Sequence, residues 1–267
     1  MMRGIKTAYN KLVFCYRTTG SISDFLRLLI NTKRYSRNKK VEKIDYPVLY
    51  QLKLGGVYKL LRLRTYSGDI DMLYEIFWQR VYNNTLISWN NFSTIVDLGA
   101  NIGMTSLFFG LQSPGAVIYA LEPDPENFEL LITNLSREIT GSRLIPVAAA
   151  ISSDNGVEYL HKKQKSYNSS VSGIDISDTE VRAVNMPTFM REMFIDEIDL
   201  LKIDIEGKEA ELFSRDLAWL EKVRNIVMEC HSEDIRKHAI VTLKTLGFDV
   251  YPGNNGRSYA DIIWAIR

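Results

Sequence analysis

Cysteine is nearly absent from this chain. Cys15 and Cys230 are the only two, and they lie far apart with no metal-ligand spacing. That argues against a disulfide scaffold or a zinc module and leads to the expectation of a reduced, cytoplasmic protein. Long apolar runs are missing too: no stretch approaches the ~20 continuous apolar residues that a membrane-spanning helix needs. Neither charge sign is in excess, with 33 Lys plus Arg against 32 Asp plus Glu and a net charge of +1. There is therefore no global footprint for nucleic acid. The opening "MMRGIKTAYNKLVFCYRTTG" has basic residues but no apolar segment leading to a small-residue cleavage site, so no signal peptide is read there. No internal repeat or low-complexity tract is visible.

What remains is an ordinary globular composition, 46% hydrophobic and 24% charged over 267 residues. Such a chain can build one catalytic-size α/β domain with an extra segment. Its charge is uneven: residues 33–43, "KRYSRNKKVEK", carry six basic side chains and one acid. A solvated connection explains this run, and so does a patch for an anionic surface or substrate. Just upstream, "SISDFLRLLINTKR" has the spacing of a short amphipathic helix, suited to core packing or to peripheral membrane contact.

Residues 1–90 lack strand–helix alternation and are expected to form a helical and strand cap. Helical spacing is predicted over 22–31 and 69–83, with Ile70, Leu73, Ile76, Phe77 and Val81 on one face. Residues 48–66 alternate like two strands around Gly55–Gly56. From residue 91 to 267 the pattern is regular. β-rich runs at 94–98, 116–121, 143–147, 198–205 and 225–230 are separated by helical stretches at 103–112, 125–136, 208–221 and 233–246. That alternation predicts a mostly parallel sheet covered on both faces. The end differs: "FDVYP" and "ADIIWAIR" are joined by "GNNGRSY" with no helix between. A C-terminal hairpin should therefore bring the last strand in antiparallel, which argues against a plain dinucleotide dehydrogenase.

The turn after the first core strand, "TIVDLGANIGMTSLFFG", carries Asp97, Gly99, Asn101 and Gly103. In open α/β sheets ligands bind at the carboxyl ends of the strands. Gly99 and Gly103 would let backbone approach a ligand, and their Gly-x-x-x-Gly spacing differs from the dinucleotide motif. A carboxylate at Asp97 about 4 Å from a phosphate would repel it by roughly 4 kcal/mol at an effective dielectric of 20. The same acid would favour S-adenosylmethionine, whose ammonium and sulfonium are positive. Glu122 ends the second strand in "LEPDPENFELL" and can accept from both ribose hydroxyls. Pro123 stiffens the following turn, and Asp124 can begin the next helix. Small residues at 148–150, Ala149 among them, suit either a flat wall for adenine or tight packing.

In this order, "VDLGANIG", "LEPDPENFELL", "VAAAIS", "DLLKIDIEGKEAELF" and "VMECH" resemble the FkbM family of S-adenosylmethionine-dependent methyltransferases. The resemblance covers about residues 67–265, and "LLKIDIEGKE" is its most specific piece. It implies a class I methyltransferase (Rossmann-like) sheet of seven strands. It also implies O-methylation of a small-molecule, sugar or glycan hydroxyl.

A hydroxyl is a weak nucleophile, and a positioned base typically adds ~10²–10⁴-fold. Asp204 and Glu206 stand two residues apart, as do Glu229 and His231, all at strand ends. The expected base is Asp204, or His231 working with it, with Glu206 beside them. Packing offers a rival account in which Lys202 or Lys208 pairs with these acids. Asp204, Glu229 and His231 could instead hold a divalent metal, Mg²⁺ or Mn²⁺. Glu229, together with His161 and Tyr167 from the polar stretch 159–173, are candidates for acceptor contact. An NAD(P)-dependent oxidoreductase and a non-catalytic cofactor-binding module are the alternative functions.

Overall fold

Apolar β-rich runs alternate with helices along the second half of the chain, and the computed structural model stacks those runs into one sheet. It describes residues 2–37, 45–135, 142–163, 176–253 and 261–267. Two compact units result, Met1–Arg80 and Val81–Lys162 with Ile176–Arg267. The division follows Arg80, ten residues before the boundary read from the sequence.

The first unit holds helices α1 (Met2–Thr18) and α2 (Ile22–Arg37), strands β1 (Val48–Leu54) and β2 (Val57–Leu63), and helix α3 (Asp69–Leu73). β1 and β2 form the expected antiparallel hairpin around Gly55–Gly56. Their alternation buries Tyr50, Leu52, Leu54, Leu61 and Leu63. Helix α1 is not among the predicted elements. Asp69 opens α3 and accepts from the Arg64 backbone N–H at 2.7 Å. The helix predicted over 69–83 widens into a π turn at Tyr74–Gln79 and stops at Arg80, where φ is +57°. Ile70, Leu73 and Ile76 are buried as one face, but Val81 lies beyond the helix.

The second unit runs β3 (Thr94–Leu98), α4 (Met104–Gln112), β4 (Val117–Leu121), α5 (Pro125–Leu135), β5 (Arg143–Val147), β6 (Ala150–Ile151), β7 (Gly156–Lys163) and β8 (Ile176–Val184). It continues with α6 (Met186–Glu192), β9 (Ile198–Ile203), α7 (Glu209–Leu212), β10 (Val223–Cys230), α8 (Glu233–Thr245), β11 (Asp249–Pro252) and β12 (Asp261–Ile266). Seven strands form one sheet in the order β11-β12-β10-β9-β3-β4-β5. The five from β10 to β5 are parallel, and β12 pairs antiparallel with both β10 and β11. This is the doubly wound sheet with a terminal hairpin read from the sequence. The residues joining β11 to β12 lie mostly outside the described ones.

Two departures have local causes. β6, β8 and β7 form a small second sheet, where the sequence suggested only a polar insertion. In β7, exposed Val157 and Tyr159 alternate with half-buried Glu158 and Leu160, the period of a one-sided strand. The helix expected over 208–221 ends at Leu212 and resumes as a 3₁₀ turn at Leu217–Lys222. Asp216 sits between them in the left-handed region, at φ +41°, and breaks the helix.

β9 lies centrally and is buried along its whole length. Its exit presses on the exit of β3: a Cβ placed on Gly99, where φ is +74°, would lie 1.8 Å from the backbone oxygen of Asp204. Close approach of two chain segments, rather than conformational freedom alone, thus requires glycine there. Gly99→Ala is expected to destabilise the protein by about 3 kcal/mol through strain and forced separation of the loops. Urea unfolding checks this against Gly115→Ala, which meets nothing within 4 Å despite its own positive φ.

Candidate cofactor and transfer site

Parallel pairing brings the exits of β3, β4, β5, β9 and β10 to one edge of the sheet. Register then decides which charges meet. Asp97 on β3 is paired directly with Lys202 on β9. The Lys202 ammonium is buried, 3.1 Å from Asp97 Oδ1 and 3.4 Å from Asp204 Oδ2. It donates to the carbonyls of Gly99 at 2.7 Å and Leu98 at 3.2 Å. Its contact with Asp97 is ionic rather than an aligned hydrogen bond. Burial lowers the pKa of the amine, but Asp97 and then Asp204 outweigh that penalty and hold it above the ordinary value.

This arrangement corrects the role expected of Asp97. The residue is fully buried, its second oxygen accepts from Ser106 Oγ at 2.6 Å, and it does not line the cavity at the strand ends. Its charge is answered inside the protein by Lys202. Gly103 is also absent from the cavity wall. It begins α4 at φ +87°, and a Cβ there would meet Leu135 at 2.8 Å, so its smallness serves helix packing.

The cavity has a volume of about 470 Å³. Gly99, Asn101, Glu122, Pro123, Asp124 and Ala149, six of the eight residues expected to hold the cofactor, line it together with Asn127, Tyr159, Asp204 and Glu206. Glu122 is braced by the backbone: Oε2 accepts from Asn101 N–H at 2.8 Å and Oε1 from Asp124 N–H at 2.9 Å. Burial pushes its carboxyl above the usual value, against those hydrogen bonds. A carboxylate offers about four acceptor sites, so capacity remains for a ligand hydroxyl. Asn101 Oδ1 is buried in this wall with no hydrogen-bond partner. Five carboxylates, Glu122, Asp124, Glu158, Asp204 and Glu206, face one lysine, Lys208, among the lining residues. Lys208 is itself paired with Glu158. Such a wall fits a cationic nucleoside and disfavours a pyrophosphate, and residues other than Asp97 supply the field.

Beside the cavity, Asp204, Glu206 and His231 converge as the sequence suggested. His231 Nε2 lies 3.7 Å from Asp204 Oδ1 and 3.6 Å from Glu206 Oε2. Glu206 is highly exposed and takes φ +54°, directly before Gly207 at φ +94°. Glu209, not among the residues singled out from the sequence, is buried and organises the group. Its Oε1 lies 2.8 Å from His231 Nδ1 and accepts from the N–H groups of Ile205 and Gly207, each at 3.2 Å. Burial lowers the basicity of His231, but Glu209, then Asp204 and Glu206, raise it above the ordinary imidazole value.

Of the pairings suggested for the lysines, Lys202 does meet Asp204, whereas Lys208 turns to Glu158. The proposed metal set changes as well. Among the described residues, Asp204, Glu206 and His231 are the group whose ligand atoms lie within 4.8 Å of one another. Glu229 is not in it. It sits half-buried on β10 opposite Ile262, and β10 ends at Cys230, so strand alternation does not carry on to His231. His161 lies on β7, whose preceding residues Glu158, Tyr159 and Leu160 reach the cavity. Tyr167 falls outside the described residues. The signal for Tyr159 was present in the alternation of β7 but was obscured by the lysines that follow.

Glu122→Gln keeps the size of the side chain but removes its charge and turns one of its two accepting oxygens into a donor. It is expected to weaken S-adenosylhomocysteine binding about 10-fold, since a hydrogen bond to a charged group contributes about 1.5–3 kcal/mol. Titration calorimetry measures this, and an unchanged affinity would take Glu122 out of the binding site.

Comparison with known proteins agrees with this geometry. Residues 97–250 match the model of the methyltransferase FkbM domain. Methyltransferase sdnD of Sordaria araneosa is 30% identical over 66% of this chain and 80% of its own length. The 31-O-demethyl-FK506 methyltransferase FkbM of Streptomyces tacrolimicus is 27% identical over the same shares. The hexuronic acid methyltransferase AglP of Haloferax volcanii is 22% identical over 66% of this chain and 68% of its own. The matched region begins at the buried acid of β3 and includes the whole acidic cavity wall, which sets aside the oxidoreductase and non-catalytic alternatives. The chain belongs to the FkbM methyltransferase family and is an S-adenosylmethionine-dependent methyltransferase.

Proposed function

We propose that the chain methylates a hydroxyl group of a sugar, a glycan or a related natural product. The names of two relatives support this reading, since one is named for 31-O-demethyl-FK506 and another for a hexuronic acid. One observation carries it: a histidine held by a buried carboxylate lies within 4 Å of two acids, Asp204 and Glu206, that line the cavity. Bound S-adenosylmethionine supplies an electrophilic methyl group with a neutral leaving group, which leaves the protein to align and deprotonate the acceptor.

Glu122, Asp124 and Ala149, with the backbone at Gly99 and Asn101, would hold the cofactor. Glu209 fixes the tautomer of His231 by keeping the proton on Nδ1, so that Nε2 is the basic atom when the ring is neutral. Lys202 already engages one oxygen of Asp204, whereas Nε2 of His231 lies beside two carboxylates, Asp204 and Glu206. His231 therefore takes the acceptor proton at Nε2, and Asp204 and Glu206 stabilise the imidazolium that forms. The same three side chains suit a divalent cation by donor type. The Lys202 ammonium beside Asp204 disfavours a second cation there, so proton transfer is the leading reading.

A base must be neutral to act, and the raised pKa of His231 places its loss of function above pH 6.5 on the way down. The acid limb of kcat/KM is therefore expected above pH 6.5. Glu209→Gln removes the largest raising influence, so that limb should move to lower pH while the plateau rate falls. A limb that stays in place would contradict the assignment of His231. Activity on glycoside acceptors should persist in EDTA; its abolition, with rescue by Mn²⁺, would favour the metal.

A further inference from the structure

The first unit carries a surface that the transfer chemistry does not use. A helix packed on a hairpin normally shows one apolar face. α2 shows two: its inner face buries Leu28 and the Asn31 side chain, which donates to the Tyr50 hydroxyl at 2.7 Å. Its outer face exposes Ile22, Leu26 and Ile30, spaced i, i+4, i+8, at 76%, 51% and 51%. α1 repeats the pattern, burying Cys15 while Tyr9, Leu12 and Tyr16 remain exposed at i, i+3, i+7. The two helices meet edge-on where Tyr16 packs against Phe25, ring centroids 5.8 Å apart.

The sequence of this segment is rich in basic residues. Residues 1–43 contain eleven Lys and Arg against two Asp and Glu, whereas the other residues contain 22 against 30. One of the two acids, Asp24, is buried. Lys33 and Arg34 are exposed and follow the apolar row of α2 toward its end. Among the described residues no helix is long and apolar enough to cross a membrane.

We propose that α1 and α2 form an interfacial docking surface for an anionic lipid bilayer, lying in the headgroup layer with Ile22, Leu26 and Ile30 directed to the acyl boundary. An exposed apolar row bordered by lysine and arginine matches both layers of such an interface. A second copy of the chain is a poorer occupant, because two patches of the same charge would repel. A nucleic acid would answer the charge but leave the apolar rows in water.

Co-sedimentation of the full chain with vesicles tests this, comparing pure phosphatidylcholine with phosphatidylcholine containing 30% phosphatidylglycerol. Binding is expected to the anionic vesicles only and should weaken with salt. Each lysine or arginine at such a surface contributes a factor of about five, so Lys33→Ser with Arg34→Ser should cut partitioning about 25-fold. The triple variant Ile22→Ser, Leu26→Ser, Ile30→Ser should lose at least 10-fold and keep the circular dichroism spectrum of the parent. Equal binding to both vesicle types, or none to either, overturns the proposal. So does undiminished binding by the folded triple variant, which would mean charge attraction without insertion. A dimer seen in sedimentation equilibrium that the triple variant dissociates would assign the face to a second copy instead.

Discussion

A single buried ammonium organises the edge of the sheet where the acidic cavity lies. Lys202 contacts two carboxylates and two backbone carbonyls drawn from β3, its exit loop and the end of β9. Taking a lysine out of water costs several kcal/mol, and only close opposite charge with further hydrogen bonds offsets that cost. The geometry supplies both. Because Asp97 and Lys202 are register partners on adjacent parallel strands, the pair also fixes where the loop after β3 leaves the sheet relative to Asp204. Gly99 completes the constraint, as no side chain fits between the two loops.

From that anchor the division of labour among the acids follows. Asp97 answers Lys202, so the field that favours a cationic donor comes from Glu122, Asp124, Asp204 and Glu206 on the cavity wall. Glu209 serves neither purpose. Buried beneath the loop, it accepts from two backbone N–H groups and orients His231. Carboxylates near one another in sequence thus take separate roles because burial and partners differ, as is usual at sites with tuned acids and bases.

Much of this was legible from residue order. Alternation of apolar runs and helices, ending in two strands without a helix between, is enough to predict the sheet and its antiparallel edge. Strand ends carrying Asp204 and His231 had to converge once the strands were parallel. The Lys202–Asp97 pair was not legible, because it depends on β9 inserting beside β3, far apart in sequence. Glu209 looked like any acid in the first turn of a helix, and only the fold puts its carboxylate under His231. Glu229 misled for the opposite reason: the two-residue spacing assumed a strand that stops one residue short of the histidine. Helix α1 was legible too, since its apolar residues fall mostly in one arc, yet it is not among the predicted elements.

A double-mutant cycle on Asp97→Asn and Lys202→Met weighs the buried pair itself. Each single change should cost about 3–5 kcal/mol in urea unfolding, because each strands a charge without its partner. Together they should cost well below the sum, with a coupling of about 2 kcal/mol or more, and S-adenosylhomocysteine affinity should recover in parallel. Additive losses, or an Asp97→Asn protein that keeps its stability but loses the cofactor, would return Asp97 to direct contact with the ligand and remove Lys202 as the anchor.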